Sequence, residues 1–474
     1  MKLKVFNILE KTSFILTLFL FAFIPLYPKF PLLNIAGTYV AVRLEDLLIA
    51  LVIAFWVIGR YIHKDWDFFI NNNVGKAFLL FFLIGILSLF SAIFLTSTVQ
   101  LHLGVLHFFR RVELMLLLPV VATVFITKKR LTAALIVFFL TLFVVNIYGL
   151  GQQYLDWPLI STTNSEFAKG LVLRLTPDAR VNSSFAGHYD LAVFLASVIV
   201  FLTILFFMLK KLWKILVIIL GGLSLFVLIL TAARVSFVAA FVGVISALIF
   251  SKKKKYLLLI FILLVLVFAY PSQLRDRFIS TITVNLFNLG QRYEGRNLNQ
   301  QLESKLNIPT LPYKMASRSA LASPFASASA GVPVDITPGE PIDATDLAVY
   351  RSFQIRFNIE WPRATRALLK NPFLGTGYSS LGIATDNDYL RSLGEVGILG
   401  SVAFFLILFS VWKKIYRGIK NEDRVVRYFS AGTLSMIILF LINGLFIDVF
   451  EASKVASLFW MVLGLNLAAL KFDR

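Results

Sequence analysis

The sequence predicts an all-α polytopic membrane protein with about twelve transmembrane helices and one long extracytoplasmic loop between helices 9 and 10. Three observations carry this expectation. Of 474 residues, 58% are hydrophobic and only 15% are charged. Apolar runs recur at the ~20-residue length that crosses ~30 Å of hydrocarbon. Seven clusters of lysine and arginine alternate along the chain with short segments mostly poor in cations.

The first run, 13–28, follows Lys2, Lys4 and Lys11. No cleavage pattern follows Met1, so this run is expected to be retained as a span. Runs 44–62 and 76–95 flank Arg60, Lys64 and Lys76, and runs 112–127 and 131–152 flank Lys128, Lys129 and Arg130. Runs 188–209 and 212–231 flank Lys210, Lys211 and Lys214, and runs 235–250 and 256–270 flank Lys252 through Lys255. Runs 388–412 and 426–449 flank Lys413, Lys414, Arg417, Lys420, Arg424 and Arg427, and the last run, 455–470, ends at Lys471 and Arg474. These clusters hold 24 cations. The short segments between them hold nine: Lys29, Arg43, Arg110, Arg111, Lys169, Arg174, Arg180, Arg234 and Lys454. Because cytoplasmic flanks collect lysine and arginine, both termini are expected to be cytoplasmic, in the cytoplasmic (inner) membrane.

The chain reads as a single integral membrane domain, 1–474, with residues 271–385 as its long outer segment. Stretch 271–306 is mixed polar and apolar, as expected of one or two short helices on the bilayer surface. Stretch 317–345, rich in Ala, Ser and Pro, reads as flexible. Stretch 347–370 returns to helical spacing, with Pro362 expected to kink or break it. A net charge of +20 suggests nucleic acid in a soluble protein. Here the cations flank helices and meet lipid head groups instead, so membrane lipids are the expected partners and nucleic acid is not. Without cysteine there is no disulfide or thiolate chemistry. Four histidines outside any HExxH pattern give no zinc site, and no metal or other cofactor is expected.

Arginines on the outer side work against orientation and therefore need a reason. Arg234 lies in the turn LTAARVSF between two apolar runs, where it is either a functional group or an interfacial anchor that snorkels. Arg180 stands just before a helix in RVNSSFAGHYDLAVFLA, and Arg356 lies in RSFQIRFNIEW, ahead of NPFLGTGY and TDNDYLRSLGEVGILG. Taken in this order with the long loop between them, these segments, from about residue 180 to 400, resemble the O-antigen ligase and O-antigen polymerase superfamily of bacterial envelope glycosyltransferases.

The resemblance implies a GT-C-like fold and an inverting, metal-independent transfer. The glycan moves from an undecaprenyl pyrophosphate carrier to a glycan, lipid or protein acceptor at the outer membrane face. It implies that Arg180 and Arg356 contact the pyrophosphate, with Arg234 as a further candidate. The chemistry agrees: a pyrophosphate leaving group needs its charge stabilised, and guanidinium forks supply that without a metal. The family carries a His-Asn pair at the start of the tenth helix, where this chain has Asp386-Asn387-Asp388. Asp386 is therefore either the base that activates the acceptor hydroxyl or a helix cap, and Asn387 and Asp388 are candidate binding residues beside it. His188 is a second base candidate, with Asp388 and Glu395 as the further places to seek the base if Asp386 is only a cap. Glu395, two turns into the tenth helix, should face the interior and pair with an arginine. Arg110 and Arg111, in an expected outer loop with His102 and His107, either bind carrier phosphate or acceptor or anchor the interface.

Two other functions compete with this reading. A lipid-carrier flippase or other transporter needs charges or broken helices near the midplane. A non-catalytic scaffold follows if loss of the family histidine disabled the chemistry.

Overall fold

The structure, a computed structural model, describes residues 2–33, 35, 38, 41–160, 172–173, 179–283, 353, 355–382 and 384–472. The stretch 317–345 expected to be flexible, and Lys169 and Arg174, lie outside them. The order is α1 (Lys2–Leu26), β1 (Pro31–Leu33), β2 (Val42–Arg43), α2 (Leu44–His63), α3 (Asp67–Ile70), α4 (Asn73–Phe90) with a π turn (Ser91–Leu95), α5 (Leu101–Val124), α6 (Lys128–Tyr154), β3 (Leu159–Ile160) and β4 (Val172–Leu173). There follow α7 (His188–Met208), α8 (Lys211–Leu230), α9 (Arg234–Phe250), a 3₁₀ turn (Lys254–Tyr256), α10 (Leu257–Ala269) and α11 (Gln273–Thr283). After the long segment come a π turn (Arg356–Glu360), α12 (Trp361–Lys370), α13 (Asp388–Gly418), α14 (Arg424–Asn443) and α15 (Ser453–Ala469). The strands form two antiparallel ribbons, β1 with β2 and β3 with β4.

Among the described residues, eight helices are long and apolar enough to cross a membrane. The number is nine if the pair Lys254–Ala269 and Gln273–Ile282, bent by 90°, counts as one span. The architecture is that of an all-α membrane protein. All twelve apolar runs fall on helices, and several boundaries follow local chemistry. Asn72 accepts from the Val74 amide at 2.9 Å to open α4, and Thr127 accepts from that of Arg130 at 3.3 Å to open α6. Asp423 accepts from the Val425 and Val426 amides at 2.7 and 3.4 Å to open α14. Each side chain satisfies donors that the first helical turn leaves unpaired. Pro362 falls in the first turn of α12, directly after the π turn Arg356–Glu360 passes into that helix.

One expectation needs correcting. Arg110 and Arg111 lie within α5, which begins at Leu101, and not in a loop. A helix carries them because distant carboxylates pair with them: Asp46 lies 3.8 Å from Arg110, and Glu451 pairs with Arg111.

The centre of the bundle is α7, α14 and α15, buried along most of their length. Around them α7 packs on α8, α9 and α14, α15 on α5, α4 on α13, and α1 on α2 and α6. The outward faces keep large apolar side chains exposed, such as Leu83 and Phe90 of α4, Leu140 of α6 and Phe261 of α10, as lipid contact requires. Polar pairs cross between helices inside. Ser236 donates to Asn443 at 2.7 Å, and Asn146 to Ser224 at 3.0 Å, which gives these buried donors partners inside the bundle.

Helix α13 is interrupted at Gly397, whose φ of 67° and ψ of −171° are not helical. The segment NPFLGTGY fills the break with its own backbone. Thr376 and Gly377 donate to the carbonyls of Gly394 and Glu395 at 2.9 and 2.8 Å, and the amides of Ile398 and Leu399 donate to Pro372 and Phe373 at 2.8 and 3.2 Å. The approach demands glycine. A Cβ at Gly375 (φ 69°) would stand 2.4 Å from the Glu395 backbone, and one at Gly397 2.3 Å from the Phe373 carbonyl. Both positions combine a left-handed φ with a backbone contact that no side chain permits.

Candidate functional site

The turn ahead of α7 is built around Arg180, which is buried. Its geometry is set by neighbours distant in sequence. Gln152 accepts from the Ser183 amide at 2.8 Å and donates to the Ser183 carbonyl at 3.0 Å. Ser184 donates to the Pro25 carbonyl at 2.6 Å. Lys454, fully buried at the start of α15, donates to the carbonyls of Ser184, Tyr27 and Pro25 at 2.7, 2.6 and 3.3 Å. The turn so fixed delivers Arg180 Nη1 to within 2.7 Å of Nε2 of His188, the first residue of α7. Arginine only donates, so His188 Nε2 must be the accepting nitrogen and the ring is the Nδ1–H tautomer. That nitrogen is thereby engaged by the guanidinium.

Arg234 opens α9 two residues after Ala232, whose φ is 51°. It donates to the Arg277 carbonyl at 3.3 Å and to the Thr281 hydroxyl, both on α11. The 90° bend before α11 therefore lays that helix across the end of α9. Arg277 itself is buried. Arg180 and Arg277 both act electrostatically on His188, and Arg180 and Arg356 on Arg234. Four guanidinium groups, from the α7 turn, α9, α11 and the π turn, thus converge at one end of the bundle.

Arg356 leads to the loop before α13, where its Nη2 lies 2.6 Å from Asp386 Oδ2. Asp386 sits at φ 49°, and two contacts hold its loop. On one side, Arg363 of α12 donates to the Ala384 carbonyl at 2.8 Å. On the other, the Asp448 carboxylate accepts from the amides of Thr385, Asp386 and Asn387 at 2.8, 3.3 and 3.1 Å. Asp448 also pairs with Arg391 at 2.9 Å.

Glu360, the last residue of the π turn, faces Asp386, Arg356, Asp448 and Arg363. Burial, reinforced by the negative charge of Asp386, pushes its carboxyl up to about 7.

The remaining expected residues lie in the scaffold around this cluster. Asn387 caps α13, accepting from the Leu390 amide at 3.0 Å and donating to the Leu445 carbonyl at 3.2 Å. The Asp388 carboxylate accepts from the amides of Val449 and Phe450 at 2.8 and 3.3 Å. Glu395 is buried, 3.5 Å from Arg391, and accepts from the Ser379 amide at 3.2 Å. Arg111 donates to the Phe450 carbonyl at 3.2 Å and pairs with Glu451. These four residues tie α5, α13 and the connection between α14 and α15 together.

Of the residues singled out in the sequence, Arg180, His188, Arg234, Arg356 and Asp386 lie in or beside this cluster. Arg277, Glu360, Asp448 and Lys454 were missed as contributors. The spacing of Glu360 four residues after Arg356 was a usable signal, since it places both on one face of a helical turn. No protein-family model matches the chain, and no curated protein matches it.

Proposed function

We propose that the chain is a membrane glycosyltransferase of the O-antigen ligase and polymerase type. It moves or polymerises a glycan from an undecaprenyl pyrophosphate carrier onto an acceptor at the outer face of the cytoplasmic membrane. The observation that carries this reading is the convergence of Arg180, Arg234, Arg277 and Arg356 at the helix ends, two of them buried. Like charges gathered in a partly desolvated place repel one another strongly. A polyanion resolves that repulsion, and a pyrophosphate matches the paired N–H groups of a guanidinium. The charge that develops on the leaving pyrophosphate is what such a cluster stabilises in the transition state. Its place at the helix ends suits a substrate whose head group is in water and whose tail is in lipid.

The interruption of α13 is the feature that favours a transporter, since broken helices line transport sites. In this chain the backbone groups freed at the break are bonded to residues 372–377, which leaves them unsuited to coordinating cargo. Reconstitution in proteoliposomes with undecaprenyl pyrophosphate-linked oligosaccharide decides between the two. The expected result is glycan joined to an acceptor or lengthened, with carrier pyrophosphate released. Translocation of an intact donor without bond cleavage would establish the transporter instead.

The same reading takes all twelve apolar runs as spans, with both termini cytoplasmic and residues 271–385 extracytoplasmic. It is supported by the charge distribution, because Lys128, Arg130 and Arg424 belong to helix ends opposite those that gather the four arginines. Single cysteines at Ser327 and Lys254 test it in a chain that has none of its own. In intact spheroplasts, an impermeant thiol reagent is expected to label position 327 and spare 254. The reverse pattern would invert the topology.

A further inference from the structure

We propose that Glu360 is the group that takes the proton from the acceptor hydroxyl, beside an Asp386 already committed to Arg356. The inference rests on the glycosyltransferase reading and deepens it.

Three observations assign the role. First, Glu360 Oε2 is buried, with no hydrogen-bond partner among the described residues, and Nε1 of the adjacent Trp361 is in the same condition. A buried carboxylate oxygen left without a donor is the complement of a hydroxyl, which can donate to it. Second, the alternatives are occupied. Asp386 Oδ2 lies 2.6 Å from Arg356, His188 Nε2 lies 2.7 Å from Arg180, and the Asp388 carboxylate is taken by two backbone amides. Third, Glu360 is held in place. Trp361 packs against Phe357 and, more loosely, Phe446, with ring centroids 4.6 and 6.3 Å apart. Arg363 anchors the start of α12 to the 384–387 loop. Glu360 therefore sits next to the arginine cluster through Arg356 without being neutralised by it.

The acceptor oxygen bonds to the anomeric carbon while its O–H bond breaks and the proton passes to a Glu360 carboxylate oxygen. The bond from the anomeric carbon to the pyrophosphate oxygen breaks, and its electron pair leaves on the carrier pyrophosphate among the arginines. The charged groups that face Glu360 are Arg356, Arg363, Asp386 and Asp448. With its carboxyl raised to about 7, Glu360 combines proton affinity with partial ionisation at neutral pH, the condition for an efficient general base.

The test uses the full-length protein in proteoliposomes with undecaprenyl pyrophosphate-linked oligosaccharide. A base must be ionised to act, so wild-type transfer is expected to fall as pH drops through about 7. E360Q is expected to keep its melting temperature and bind the donor, to transfer ~10²–10⁴-fold more slowly, and to lose that acid limb. E360D is expected to restore part of the rate and to shift the limb, and D386N to retain it. E360Q with wild-type rate and acid limb overturns the assignment while leaving the glycosyltransferase reading intact. If E360Q does not accumulate, E360D decides by its profile, since an unmoved limb overturns the role. A wild type that neither binds nor cleaves the donor overturns the glycosyltransferase reading, and the role of Glu360 with it.

Discussion

Lysine in place of Arg180 or of Arg356 is expected to slow glycan transfer by ~10²–10³-fold at unchanged protein level, although the charge is retained. An ammonium is a point charge with rotating donors, whereas a guanidinium offers a planar fork that meets two phosphate oxygens at once. The structure adds a reason particular to each site. Arg180 also holds His188 by its Nη1 at 2.7 Å, and a lysine has no second nitrogen with which to keep that contact and bind an oxygen together. Arg356 reaches Asp386 at 2.6 Å, and a lysine that kept this pair would be drawn away from the pyrophosphate. The loss should fall on kcat more than on donor binding, because the leaving oxygens gain charge only as the bond breaks. Lysine at Arg366, an arginine outside the cluster, is the control and should transfer normally. Initial rates in proteoliposomes measure the effect. Wild-type transfer by both R180K and R356K would remove the arginines from the chemistry.

The helices were legible because a membrane span announces itself one segment at a time. All twelve apolar runs fall on helices, and among the described residues eight helices are long and apolar enough to cross a membrane from their own residues alone. What escaped is what depends on partners far along the chain. Arg110 and Arg111 looked like loop residues because Asp46 and Glu451, which make them acceptable inside a helix, stand far away in sequence. The segment NPFLGTGY stood out as a marker of the site. Its work in the fold is to fill the break in α13, which no local pattern discloses. Within the site, the arginines that opened helices were visible as cations out of place. Arg277 was not, because it lies in a polar stretch where an arginine is ordinary. Its importance comes from the bend that folds α11 over Arg234. Asp448 sits in a segment taken for the end of an apolar span, and besides the distant Arg391 its partners are three backbone amides, which have no sequence signature at all.

That last residue is expected to matter most for the fold. Asp448→Ala should destabilise the protein by ~3–5 kcal/mol, the usual cost of removing one member of a buried ion pair and leaving the other. Arg391 is buried and donates one of its charge-assisted bonds to Asp448 at 2.9 Å. Glu395 at 3.5 Å and Glu451 at 4.0 Å are more distant substitutes. The same truncation strips the acceptor from the amides of Thr385, Asp386 and Asn387. Asp386 would then have to hold a left-handed φ of 49° without the bonds that stabilise it. Asp448→Asn keeps one carbonyl oxygen for the amides but loses the charge opposite Arg391, so its melting temperature should lie between those of wild type and Ala. Activity should follow stability in the Ala variant, because the loop it releases carries Asp386 and, through Arg356, one edge of the arginine cluster. Thermal unfolding of the detergent-solubilised variants measures both effects. An Ala variant that melts with the wild type would mean that the 385–387 loop is held by Arg363 and the α13 cap alone, and that Asp448 has no part in placing the site.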